Sequence, residues 1–118
     1  MTQGRPPTDL WIQASTRTAA QEGIPVTIIH RGNTVIGALL LKINLLNGMA
    51  LVFMETHYGE TRFWMPVLGP EPLPEKDADA YMADQSRADP DMWLVEVEDK
   101  KGRLWFSGKI LDPDALPS

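Results

Sequence analysis

"GALLLKINLLNGMALVFMETH", Gly37 to His57, decides how the chain folds, because it sets two apolar runs on either side of Asn47-Gly48. An Asn-Gly pair is the strongest short-range hairpin signal, since both central residues of a type I′ turn need positive φ. With Leu46 facing Met49, one sheet face carries Leu45 beside Ala50, Ile43 beside Val52, Leu41 beside Met54 and Leu39 beside Thr56. The other carries Asn44 beside Leu51, Lys42 beside Phe53, Leu40 beside Glu55 and Ala38 beside His57. The greasier first face is the expected core, and a slip of one residue would exchange the two faces.

Upstream, a helical period runs from about Asp9 to Glu22, with Thr8 or Asp9 as the expected N-cap and Gly23 as a left-handed stop. Leu10, Trp11, Ala14 and Thr18 fall together on one side. "IPVTIIHR" has the β-branched density of a strand, and Gly32-Asn33 reads as a turn joining it to the next strand as a hairpin. Downstream, "TRFWMPVL" predicts a fourth strand, placed at an edge or ending at Pro66. The proline-rich "GPEPLPEKD" then leads into a helix over about Glu75 to Arg87, with Ala78, Tyr81, Met82, Gln85 and Ala88 as its stripe. Asp89-Pro90 ends it, because proline cannot continue the ladder and disfavours α geometry in the residue before it.

"MWLVEVE" alternates, with Trp93, Val95 and Val97 on one face and Leu94, Glu96 and Glu98 on the other. "DKKG" predicts a turn into "RLWFSGKI", and pairing Glu98 with Arg103 sets Val97 beside Leu104, Val95 beside Phe106 and Glu96 beside an outward Trp105. The expected architecture is therefore α+β, an antiparallel sheet of five to six strands built from hairpins with two helices packed on one face. Residues 1–118 are expected to form a single domain, with 1–7 and 112–118 as flexible ends.

Composition narrows the function classes. The absence of cysteine excludes disulfides, a thiolate nucleophile and a cysteine-based zinc site. A net charge of −5 repels phosphate backbones and anionic lipid, and Glu71 to Asp99 alone holds ten acids against Lys76 and Arg87. No nucleic-acid partner is expected. "MTQGRPPTDLWIQ" lacks the apolar core of a secretory signal and no apolar run is long enough for a membrane span, so a cytoplasmic location away from membranes is expected. Glycine-rich phosphate loops and the Gly-x-Ser-x-Gly elbow are missing, which removes the minimum parts of nucleotide and serine-hydrolase sites.

Four groupings remain as candidate sites. Pro90-Asp91 followed by Glu98-Asp99-Lys100 has the residue types of a metal-dependent nuclease, two acids for Mg²⁺ and a lysine for the attacking water. Asp91 and Glu98, however, sit near opposite ends of one strand, about 23 Å apart at ~3.3 Å per residue. Glu55 and His57 share a face by the period of two and have the chemistry for a metal or for general acid/base work, yet lack a third ligand. Arg17, Trp11 and Trp93 are placed to line a space between the first helix and the sheet, with both tryptophans also suited to the core. Trp105 beside Glu96, Lys100 and Lys101 has the make-up of an interface hot spot.

The leading expectation is a non-catalytic binding or protein-interaction module, its partner an unknown protein or a second copy meeting at a strand edge or at the outer sheet face, with no cofactor. The runner-up is a small metal-dependent hydrolase or nuclease-like enzyme using Asp89, Asp91, Glu96 or the Glu55/His57 pair, with Glu98 as a further ligand.

"DPDMWLVEVEDKKGR" from Asp89 to Arg103, "GALLLKINLLNGMALVF" from Gly37 to Phe53, and the helix pattern Trp11, Ala14, Arg17 resemble a small bacterial family catalogued as domain of unknown function family 1491. The likeness covers about Leu10 to Arg103, and the Asp-Pro-Asp-hydrophobe-Trp run is its more specific part. It implies an intact single domain and brings no activity, cofactor or catalytic residue. After Leu104 the chain departs from the pattern, so the last strand rests on alternation alone.

Overall fold

A computed structural model describes residues 7–58 and 61–111, the side chains of His57 and Tyr58 excepted. Both ends expected to be flexible fall mainly on residues outside that range. The first helix, α1 (Thr8–Gln21), buries Thr8, Trp11, Ile12, Ser15 and Ala19, at spacings of one to four that keep one face inward. Leu10 is exposed, which corrects the expected stripe by one position. No side chain caps the start; the amides of Thr8 and Asp9 donate instead to the carbonyls of Val35 and Thr34. At the far end Gly23 adopts φ 74°, and the amides of Gly23 and Ile24 donate to the carbonyls of Ala20 and Ala19, a Schellman closure.

Seven strands follow in one mixed sheet: β1 (Val26–His30), β2 (Leu39–Asn44), β3 (Met49–Tyr58), β4 (Thr61–Pro66), β5 (Leu73–Pro74), β6 (Trp93–Glu98) and β7 (Lys109–Ile110). The second helix, α2 (Glu75–Ala88), lies between β5 and β6 in sequence. Spatially the order is β1-β6-β2-β3-β4-β7, with β5 on β3. β6 runs parallel to β2 and β7 parallel to β4, so the sheet is not purely antiparallel as expected.

β6 enters between β1 and β2, so the predicted hairpin of β1 with its successor does not form. Gly32 is required for another reason: a Cβ there would overlap the Asp91 carbonyl, against which the loop is pressed, and the same holds at Gly37. The Asn33 amide donates to that carbonyl at 2.8 Å, and the Trp93 indole donates to the Asn33 carbonyl at 2.7 Å.

The β2–β3 hairpin forms, displaced by one residue from the predicted register. Asn44 pairs with Ala50, Lys42 with Val52 and Leu40 with Met54. The loop has three residues rather than two: the Leu45 amide donates to Met49, while Leu46 (φ 62°) and Gly48 (φ 84°) take left-handed geometry. Asn44 stabilises this by accepting the Leu46 amide at 2.8 Å.

The slip matters little for burial because both faces are covered. Leu39, Leu41, Ile43, Phe53, Trp93, Val95 and Val97 pack with Trp11 and Ile12 of α1. Leu40, Ala50, Val52 and Leu94 pack with Ala78 and Met82 of α2 on the opposite face. The helices therefore sandwich the sheet instead of sharing one face, and β2 is buried on both sides, Lys42 included. Trp11 stacks on Trp64 at 5.7 Å, and Phe106 meets both edge-on.

The predicted final hairpin is also absent. The Asp99–Gly102 turn forms, but both edges of β6 are already taken by β1 and β2. Leu104, Trp105 and Phe106 instead cross over the α1-side core, and Trp105 at φ 64° breaks extended geometry.

Candidate functional site

The predicted site residues separate into different places. Glu55 does not share a solvated face with Lys42; it is buried on the α1 side, where its carboxylate receives Arg62 Nε at 2.9 Å. The Arg62 guanidinium lies 3.5 Å over Trp11, so this pair closes the aromatic cluster. The His57 side chain lies outside the described residues. Asp89 and Asp91 are exposed just before β6, and Glu98 ends that strand. Among the described residues no three His, Cys, Asp or Glu side chains come together as a metal would need.

Glu96 faces away from Trp105 and belongs to an ion cluster built around buried Lys42 on the α2 side, its carboxylates reaching solvent. Lys42 Nζ, at the centre of the sheet, donates to Glu75 at 2.7 Å and Asp79 at 2.6 Å and lies 3.3 Å from Glu96. Asn44 Nδ2 donates to both Glu75 and Glu96 at 3.0 Å. Burial works against the ammonium, but the hydrogen bonds to Asp79 and Glu75 and the charge of Glu96 outweigh it and push the pKa up to about 12. The free amine needed for nucleophilic or base chemistry is therefore scarce at neutral pH. Lys42 fastens the first turns of α2 to the sheet.

At the end of β6, buried Asp99 accepts the Lys101 amide at 2.8 Å, Arg103 Nε at 2.7 Å and the Trp105 indole at 2.8 Å. Burial disfavours its charge, yet these donors, Arg103 foremost, bring the carboxyl down to about 2. Arg103 stacks 4.7 Å from the Trp105 ring. Trp105 is thus half-buried and tied to Asp99, its expected pairing with Glu96 being ruled out by the path of the chain. Beside this corner lies an open groove of about 280 Å³, floored by Ile24, Pro25 and Leu46 and rimmed by Lys100, Lys101 and Arg103. Glu98 and Asp99 also line it.

The groove adjoins the start of β1, which pairs only with β6 among the described residues. Glu98 donates its amide to the Pro25 carbonyl, which puts Thr27 opposite Glu96 in the hydrogen-bonded phase of the ladder. The amides and carbonyls of Val26 and Ile28 consequently point outward. Flanking that edge, Ile28 forms a shallow trough of about 360 Å³ with Ile12, Thr16, Arg17 and Ala20 of α1. Arg17 is exposed here, away from Trp11 and Trp93, with which it was expected to line a pocket. Trp93 is fully in the core, under the Arg31 guanidinium.

Sequence reasoning did not single out Val26 and Ile28. A signal was present: "PVTII" carries no charged or inward-pointing edge protection, unusual for a strand exposed on one side.

The family model described as protein of unknown function, DUF1491, matches residues 7–107. A crystal structure of a DUF1491 family protein from Caulobacter crescentus CB15 is 36% identical, covers 89% of this chain and 98% of its own, and superposes with a TM-score of 0.78. The NMR structure of a DUF1491 family protein from the same organism gives 35%, 91%, 97% and 0.76. Protein Atu0922 from A. tumefaciens, at 15% identity, covers 88% of this chain and 94% of its own and shares the fold with a TM-score of 0.71. No curated protein matches the chain.

Proposed function

The chain belongs to the DUF1491 family, and we propose that it works as a non-catalytic protein-binding module that receives an extended segment along the open edge of β1. The observation carrying this reading is the outward presentation of the Val26 and Ile28 backbone groups beside an apolar trough. Backbone pairing supplies affinity in such strand addition, and side-chain troughs supply selectivity. The exposed Ile28 and Ile29 add apolar area on either face of the same strand. The two buried ionic groups serve the scaffold: Lys42 holds α2 and Asp99 holds the turn at which the neighbouring groove ends.

Proline substitution tests this cleanly. Ile28→Pro removes an outward amide and no ladder bond to β6, so the melting temperature should stay near that of the parent while binding of peptides selected from a random phage-displayed library is lost. Thr27→Pro removes an inward amide and should lower the melting temperature. Selected peptides that bind Ile28→Pro as well as the parent would contradict the reading.

A further inference from the structure

The chemistry of the partner follows from which charges around β1 lack a counter-ion. Lys42, Arg62, Arg87 and Arg103 are each paired with a carboxylate. Among the described residues Arg17, Arg31, Lys76, Lys100, Lys101 and Lys109 have no such pairing, although the chain as a whole carries −5. Three of these six border the two depressions beside β1: Arg17 shares the trough of Ile28, and Lys100 and Lys101 rim the groove of Ile24 and Pro25, where Arg103 already holds Asp99 and Glu98 is the one other acid of the lining. Arg31 follows the strand directly. The acids of α2 lie on the opposite face of the sheet, held there by Lys42.

We propose that the segment received by β1 is an acidic extended peptide, with one carboxylate met by Arg17, a second met by Lys100 and Lys101, and aliphatic residues between them. The inference rests on the strand-addition reading above and adds the partner's chemistry. Ile28 and Ile24 are four residues apart, about 13 Å along a strand, so the two carboxylates are spaced by about four residues in the peptide. Between them the aliphatic side chains that share the face of Val26 and Ile28 fill the trough over Thr16 and Ala20. A second copy of this chain fits the edge less well. Two antiparallel β1 strands related by a two-fold axis through Thr27 bring the two Arg17-bearing troughs together, like charge against like charge, with no acid in the trough to separate them.

The test pans a random dodecapeptide phage library on the full chain, on Arg17→Glu and on Lys100→Glu/Lys101→Glu, with Ile28→Pro as the edge control. Peptides from the parent should carry Asp or Glu at two positions about four apart. Synthesised, they should bind each charge-reversed variant about tenfold more weakly and lose affinity with added salt. Selection on Arg17→Glu should replace one acid by Lys or Arg. Enriched peptides without acid preference, or equal binding to Arg17→Glu, overturn the inference while sensitivity to Ile28→Pro leaves the open-edge reading standing. Peptides indifferent to Ile28→Pro overturn both, as does a library from which nothing is enriched. A concentration-dependent dimer abolished by Ile28→Pro places a second copy on the edge and overturns the acidic partner alone.

Discussion

Lys42 and Asp99 show how one buried charge is made tolerable by the groups around it, and each makes a distinct pH signature. Asp99 titrates at about 2 in the folded chain, below the ~3.9 of a free aspartate. Its contribution is complete above the unfolded value and is lost as pH falls through about 4 toward 2. The difference corresponds to roughly 2 kcal/mol by linkage. Asp99→Asn should therefore lower stability by about 2 kcal/mol at neutral pH and flatten the acid limb of a denaturant-midpoint titration. Lys42 is the opposite case: its pKa of about 12 is raised, so its contribution is complete below the unfolded value near ~10.4 and disappears as pH rises through 12. Lys42→Met leaves the partly exposed Glu75, Asp79 and Glu96 without their cation and should cost about 1–3 kcal/mol at pH 7, less than for a fully buried pair because water screens the three carboxylates. Part of that loss should return on acidification, as the orphaned carboxylates protonate. A denaturant titration of the parent and both variants between pH 2 and 7 checks the signs of the two acid limbs.

At the level of elements, the parts with a strong local signal were legible and the pairings between them were not. The extent of α1, the Asp89-Pro90 stop after α2 and the alternation of β6 all stand where the residues placed them, whereas the inward stripe of α1 lies one position on from the expected one. The hairpin register was hidden because Leu39, Leu40 and Leu41 are buried alike, so no polar residue there distinguishes one face from the other. Leu46 in left-handed geometry carries no sequence mark. β6 lying parallel to β2 is a long-range pairing that neither strand announces, and it displaced both predicted hairpins at once. Of the candidate site, Arg17 and the lysines after Asp99 were named, whereas the strand edge that unites them depends on β6 pairing with only one side of β1. The loop across Asp91 gives a prediction at this scale. Gly37→Ala forces a Cβ into the Asp91 carbonyl and should destabilise by about 1–3 kcal/mol, whereas an alanine at Gly48 meets no atom and is disfavoured only by its φ of 84°. Thermal melts of the two variants, side by side, separate steric from conformational cost.

Over the whole molecule, charge is sorted by face. α2 and its carboxylates cover one side of the sheet, α1 and the aromatic cluster cover the other, and Arg17, Lys100 and Lys101 stand beside the two depressions at the β1 margin. At the far margin β7 pairs with Phe63 and Trp64 of β4, whereas β1 pairs only with β6 among the described residues. Among the described residues no helix is long and apolar enough to cross a membrane. Residue-resolved amide hydrogen exchange of the free chain tests the open edge most directly. The account requires fast exchange at Val26 and Ile28, slow exchange at Thr27 between them, and new protection at the first two when an acidic library peptide is added. Strong protection of Val26 and Ile28 in the free monomer, or no change there in the presence of a bound peptide, would contradict it.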